Sequence, residues 1–121
     1  MSYSKEALSW AEKNLIGRSV FHDEIRKQIQ FTRQGVKHAV SSNSSRIKAE
    51  FIYSVTSQLK NSKLIDISPD KRNRPDIKAV YTFFSEWTFE NETYFVRMYV
   101  REGANGNIYY DHSIIKKKNL D

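Results

Sequence analysis

The feature that most constrains this chain is its C-terminal part, where three strand-like runs are joined by two short turns. Ala79 to Phe89 holds only β-branched, aromatic and small residues apart from Ser85 and Glu86, a composition that suits a pleated surface. Asn91–Glu92 turns this run into Thr93 to Arg101, and Gly103–Ala104–Asn105–Gly106 turns that into Asn107 to Ile115. Consecutive strands with connections this short pair antiparallel and make a meander. A sheet with one apolar face needs a cover, which the residues ahead of it supply.

Those earlier residues read mainly as helix. Leu8, Ala11 and Leu15 keep helical spacing across residues 4 to 14, with Ser4 as cap and Gly17 as the stop. A short extended pair, Val20–Phe21 and Lys27–Phe31, flanks a polar turn at His22–Asp23–Glu24 that leaves His22 solvated. Thr32 caps a helix running to about Ser41, with Val36, Ala39 and Val40 inward. After the polar break Ser41–Ser45, the positions Ile47, Phe51, Ile52, Val55 and Leu59 predict one amphipathic helix of about four turns. Lys63 to Ile67 reads as a short linker or edge strand, and residues 68 to 77 as a charged loop held open by Pro69 and Pro75. The expected fold is α+β, with N-terminal helices packed on a twisted antiparallel sheet, a meander of three to four strands. At 121 residues the chain has room for a single domain over 1–121, its core about 17–116.

Charge narrows the partners. Twenty Lys and Arg against fourteen Asp and Glu give +6, with a pI near 9.5. Between Ile25 and Ala49 lie Arg26, Lys27, Arg33, Lys37, Arg46 and Lys48 with no acidic residue. A second cluster, Lys71, Arg72, Arg74 and Lys78, is offset only by Asp70 and Asp76, and the tail carries Lys116, Lys117 and Lys118. Such surfaces attract polyphosphates whatever their sequence. RNA is therefore the expected partner, and an inhibitor or immunity protein, if one pairs with the chain, is expected to be acidic. The chain has no cysteine, which excludes a disulfide framework, a thiolate metal site and a cysteine nucleophile. No apolar run approaches the roughly 20 residues needed to cross a bilayer, and MSYSKEALSW does not read as a signal peptide. The cytoplasm is the expected location, with no membrane partner.

Side chains alternate across a strand, so the middle strand divides into two faces. Tyr94, Val96, Met98 and Val100 suit the helical side, leaving Phe95, Arg97, Tyr99 and Arg101 on the open side. Guanidinium forks bind phosphate and aromatic rings stack on unpaired bases. On the last strand, alternation groups Ile108, Tyr110, His112 and Ile114 on one face and Tyr109, Asp111 and Ser113 on the other. Of three histidines, His38 and His112 sit beside basic or polar neighbours, and two such groups can serve as general base and general acid without a metal. No His or carboxylate pair shows metal-ligand spacing, so neither a metal nor a cofactor is expected.

The series IQFTRQGVKHAV, a helix, a hydrophobic strand, TYFVRMYVRE and GNIYYDHSI resembles a domain of large polyvalent proteins of phages and mobile elements. It is similar to their nuclease domains of the barnase/EndoU/colicin/RelE-like superfamily, over roughly residues 5 to 116. The resemblance implies N-terminal helices followed by a four-stranded antiparallel sheet, and metal-independent RNA cleavage by attack of the ribose 2′-hydroxyl. Lys37 and His38 match the family's GIKH position, Arg97 and Arg101 its strand arginines, and Tyr110 and His112 its YDH position. The candidate catalytic residues are accordingly His38, His112, Arg97 and Arg101, and the candidate substrate-binding residues Lys37, Tyr99, Tyr110 and Arg33. The expected function is an endoribonuclease or toxin-like effector. The alternatives are a non-catalytic nucleic-acid-binding module on the same face, or a protein-interaction domain that uses apolar residues of strands 79 to 101.

Overall fold

The structure, a computed structural model, describes residues 3–40 and 46–118. The polar break expected over Ser41–Ser45 lies outside the described residues.

Helix α1, Tyr3–Asn14, buries Ala7 and Ala11. The chain reverses at Gly17, whose φ of +88° suits a residue without a Cβ, and the Gly17 amide donates to Phe31 O at 2.9 Å. Strands β1, Ser19–His22, and β2, Lys27–Gln30, form an antiparallel hairpin. Helix α2, Arg33–Ala39, is capped by Thr32, whose hydroxyl accepts from the Gly35 amide at 3.0 Å. The single helix expected over residues 47 to 59 is two: α3, Arg46–Ile52, and α4, Val55–Lys60. At the break the amides of Tyr53 and Ser54 bond to carbonyls three residues back, Glu50 and Phe51, a tightened turn that ends the first axis. The change of direction lets α3 pack on α1 while α4 packs on β1 and β4.

The remaining strands are β3, Lys63–Ser68; β4, Ile77–Phe89; β5, Glu92–Gly103; and β6, Ile108–Lys117. The sheet runs β1-β2-β6-β5-β4-β3. Strands β3 to β6 are the antiparallel meander, whereas β2 joins β6 parallel, in register at Gln30 and Tyr109. The α+β class holds, but the sheet has six strands and is mixed, where three to four antiparallel strands were expected. The added hairpin is short and polar on β2 (KQIQ), and its partner lies far away in sequence, so no local pattern announces the pairing. The β4–β5 turn is built on Glu90 and Asn91, with φ of 50° and 65°. Two successive positive φ values match the type I′ hairpin geometry, one residue earlier than the sequence indicates.

The core lies between the helices and one face of the sheet. Val96, Met98 and Val100 of β5 are fully buried there with Val36, Phe51 and Leu59. His22 belongs to this interior too, only 2% exposed, and is not the solvated turn residue expected. Its Nδ1 accepts from the Glu24 amide at 3.1 Å, so its Nε2 carries the proton and donates to Ser62 O at 2.9 Å. The ring packs on Phe83 at 4.4 Å between centroids. Among the described residues, no helix is long and apolar enough to cross a membrane.

Candidate active site

The open face of the sheet is organised by β5. Arg97 stands between Phe84 and Ile114, Tyr99 between Thr82 and His112, and Arg101 between Val80 and Tyr109. Strict alternation along β6 puts His112 on the same face as Tyr110. The strand does not alternate strictly: Tyr99 pairs with His112 while its neighbour Val100 pairs with Tyr110, so Asp111 is an extra residue on β6. A bulge of this kind resets the phase of the strand and re-aims its side chains. Tyr110 turns into the core, completely buried, with its hydroxyl 2.7 Å from Ser113 Oγ; burial pushes its phenol pKa well up, against a smaller opposing effect of Ser113. His112 stays on the open face, stacked on Tyr99 at 4.8 Å and 18°.

Helix α2 brings the second imidazole. It packs directly against β6, and Gly35 makes this possible, because a Cβ there would collide with the carbonyl oxygen of Tyr110. One turn further along the helix, His38 comes over the bulge. Its Nδ1 lies 3.4 Å from Asp111 Oδ1, and His112 Nδ1 lies 2.5 Å from Asp111 Oδ2. The two rings are 5.3 Å apart between centroids. Arg101 completes the cluster, with Nη2 3.2 Å from Asp111 Oδ2. Arg101 Nε is buried and has no hydrogen-bond partner among the described residues.

Asp111 is 7% exposed. Burial works against its charged form. The hydrogen bond and charge of His112, with those of His38, outweigh that cost and hold its pKa below the usual carboxylate value. An imidazole donating Nδ1–H to this carboxylate has Nε2 free to accept a proton, and a doubly protonated one presents Nε2–H as a donor. One carboxylate thus orients two groups capable of opposite proton transfers.

These residues line a groove of about 1300 Å³. Its far wall is the charged loop after β3, where Arg74 grips Asp70 through Nε and Nη2 at 2.9 and 3.0 Å and through its amide at 3.0 Å. Lys71 and Arg72 are carried on the same loop and also face the groove. Of the residues singled out from sequence, His38, His112, Arg97, Arg101, Lys37 and Tyr99 all line this groove. Tyr110 does not, for the reason given. Arg33 does not either: it turns toward α1, 3.4 Å from Glu12 Oε2.

Sequence reasoning passed over Asp111, Gly35 and the Asp70–Arg74 clasp. An acid immediately before His112 was the available signal for Asp111, hidden by assigning it to the opposite face. The donor atoms of His38, Asp111 and His112 lie within 4.8 Å of one another, close enough to hold a metal ion. Linear spacing gave no sign of this, because His38 and Asp111 are 73 residues apart.

No curated protein and no solved structure matches the chain. A family model described as large polyvalent protein-associated domain 3 matches residues 2–110, so the match takes in both the GVKH segment of α2 and the first part of β6. The chain belongs to the large polyvalent protein-associated domain 3 family.

Proposed function

We propose that the groove is the active site of a metal-independent endoribonuclease, a toxin-like effector domain of phage or mobile-element polyvalent proteins. The observation that carries this reading is that His38 and His112, from separate elements, share one carboxylate and face one basic groove. In the reaction, Nε2 of one imidazole takes the proton of a ribose 2′-hydroxyl as its oxygen attacks the adjacent phosphorus. The P–O5′ bond breaks, and the other imidazole, protonated, gives its Nε2 proton to the leaving 5′ oxygen. The products are a 2′,3′-cyclic phosphate and a 5′-hydroxyl, so atoms and protons balance. Arg101, Arg97 and Lys37, which line the groove, supply positive charge where negative charge develops on the phosphoryl oxygens. Tyr99 supplies an aromatic surface for a base.

The test is cleavage of an end-labelled, mixed-sequence RNA in EDTA by wild type, His38→Ala and His112→Ala. Each substitution is expected to lower the rate by about 10²-fold or more, the usual contribution of a positioned acid or base. Intact RNA with wild type would overturn the catalytic reading. Salt-sensitive binding of that intact RNA would assign the groove to a non-catalytic nucleic-acid-binding module.

A further inference from the structure

We propose that His38, Asp111 and His112 also form a reversible binding site for a divalent transition metal of the zinc class, and that its occupancy switches off the groove's proton transfers. The donor set is two imidazole nitrogens and one carboxylate oxygen, which suits Zn²⁺, Co²⁺ or Ni²⁺ over the oxygen-seeking Mg²⁺ and Ca²⁺. The three donors already converge. His38 Nδ1 and Asp111 Oδ1 are 3.4 Å apart, close to the edge of a tetrahedron whose metal bonds are about 2.0–2.1 Å long. His112 Nδ1 lies against the other carboxylate oxygen at 2.5 Å. All three sit on backbone that is fixed independently, α2 by its close approach at Gly35 and Asp111 by the bulge. Arg101 bonds to Oδ2, which orients the carboxylate and leaves Oδ1 as the ligand, the kind of outer partner that metal sites use. All three residues line the groove.

The same surroundings make the site exchangeable. The His38 side chain is 57% exposed, and the Arg101 guanidinium places a positive charge beside any cation bound there. An ion at this position displaces the Nδ1 proton that each imidazole directs at Asp111, and a neutral ring then carries its one proton on Nε2. With Nδ1 of each ring on the metal, the remaining proton is confined to Nε2. Neither ring can then accept a proton from a 2′-hydroxyl, and neither is an imidazolium able to donate one. Metal binding stands on this geometry alone; the inhibition rests on the ribonuclease reading.

The experiment titrates the full, EDTA-stripped chain with Zn²⁺ by calorimetry and with Co²⁺ by visible absorption, alongside His38→Ala, His112→Ala, Asp111→Asn and, outside the groove, Arg33→Ala. One ion per chain is expected, with tetrahedral Co²⁺ bands, affinity at least about tenfold weaker in each of the first three variants, and no change in Arg33→Ala. Histidine NMR of wild type removes any dependence on variant folding: Zn²⁺ should move the His38 and His112 signals and leave His22 in place. A wild type that binds no Zn²⁺, unaltered binding in the three variants, or shifts confined to His22 would each overturn the site. RNA cleavage restored by EDTA after Zn²⁺ arrest supports the switch, and cleavage unaffected by bound Zn²⁺ overturns it. Absence of cleavage in EDTA sinks the ribonuclease reading and the switch, while the titration decides the metal site by itself.

Discussion

Asp111 receives two imidazoles and one guanidinium on a single carboxylate, so substitution there reaches both proposed proton-transfer groups and Arg101. Asp111→Asn keeps the volume but removes the charge that opposes Arg101, whose side chain is only 17% exposed. We expect cleavage to fall by about 10²-fold or more as both imidazoles lose their orientation. Leaving buried donors unsatisfied should cost about 1–3 kcal/mol in urea unfolding. Tyr110→Phe is the opposite case. It removes a hydroxyl whose hydrogen-bond partner among the described residues is Ser113, in the core, so about 1 kcal/mol of stability should go while cleavage stays unchanged; a catalytic loss in this variant would return Tyr110 to the substrate. Residue type, strand alternation and the family resemblance together singled out His38, His112, Arg97, Arg101, Lys37 and Tyr99, and all six line one groove. Tyr110 and Arg33 turn away from the groove, Tyr110 into the core and Arg33 toward Glu12, and residue type does not say which way a side chain turns.

At the scale of elements, the site depends on two backbone features, the bulge in β6 and the close seat of α2. The seat is the easier to test. Adding a methyl at Gly35 drives it into the Tyr110 carbonyl, which cannot yield without disturbing β6. Gly35→Ala is therefore expected to destabilise the fold by about 1–3 kcal/mol, the range for overpacking, and to displace His38 from Asp111. Cleavage should fall further than stability explains, measured at a temperature where the variant is fully folded. Activity equal to wild type would show that α2 can shift without harm. Hairpin signals made the meander legible, since turn residues and period-two patterning act over a few positions. The bulge, the parallel β2–β6 pairing and the break between α3 and α4 follow from packing between distant segments. In the last case, Phe51 and Leu59 keep one helical stripe in sequence while α3 and α4 bury it against different partners.

At the scale of the whole molecule, charge and pH act through the same groove. Single-stranded RNA held by Lys37, Arg97, Arg101 and a loop cation should bind with a steep salt dependence, log affinity falling against log salt with a slope of about −2 to −3. A flat dependence, read by fluorescence anisotropy with the His38→Ala variant to prevent cleavage, would remove phosphate contacts from the account. The groove's far wall has its own pH dependence. Arg74, through its side-chain hydrogen bonds and its amide, holds Asp70 at a pKa of about 2 against a smaller cost of burial. Because this value is depressed below the unfolded one, near about 3.9, the clasp contributes its full stability above that ordinary value. The contribution is then lost progressively as pH falls toward the folded value. Glu102 titrates with the same sign. The Tyr81 hydroxyl bonds to it and, with Lys27 and Lys78, holds it low despite its burial. Asp70→Asn removes the clasp's charge at every pH. The stability difference between wild type and Asp70→Asn, from urea unfolding, should be constant above about pH 5 and shrink between about pH 4 and pH 2. Parallel curves across that interval would mean that the Asp70–Arg74 pair does not stabilise the folded loop. RNA affinity measured at neutral pH should fall in Asp70→Asn, because Lys71 and Arg72 are carried on the segment that the clasp closes.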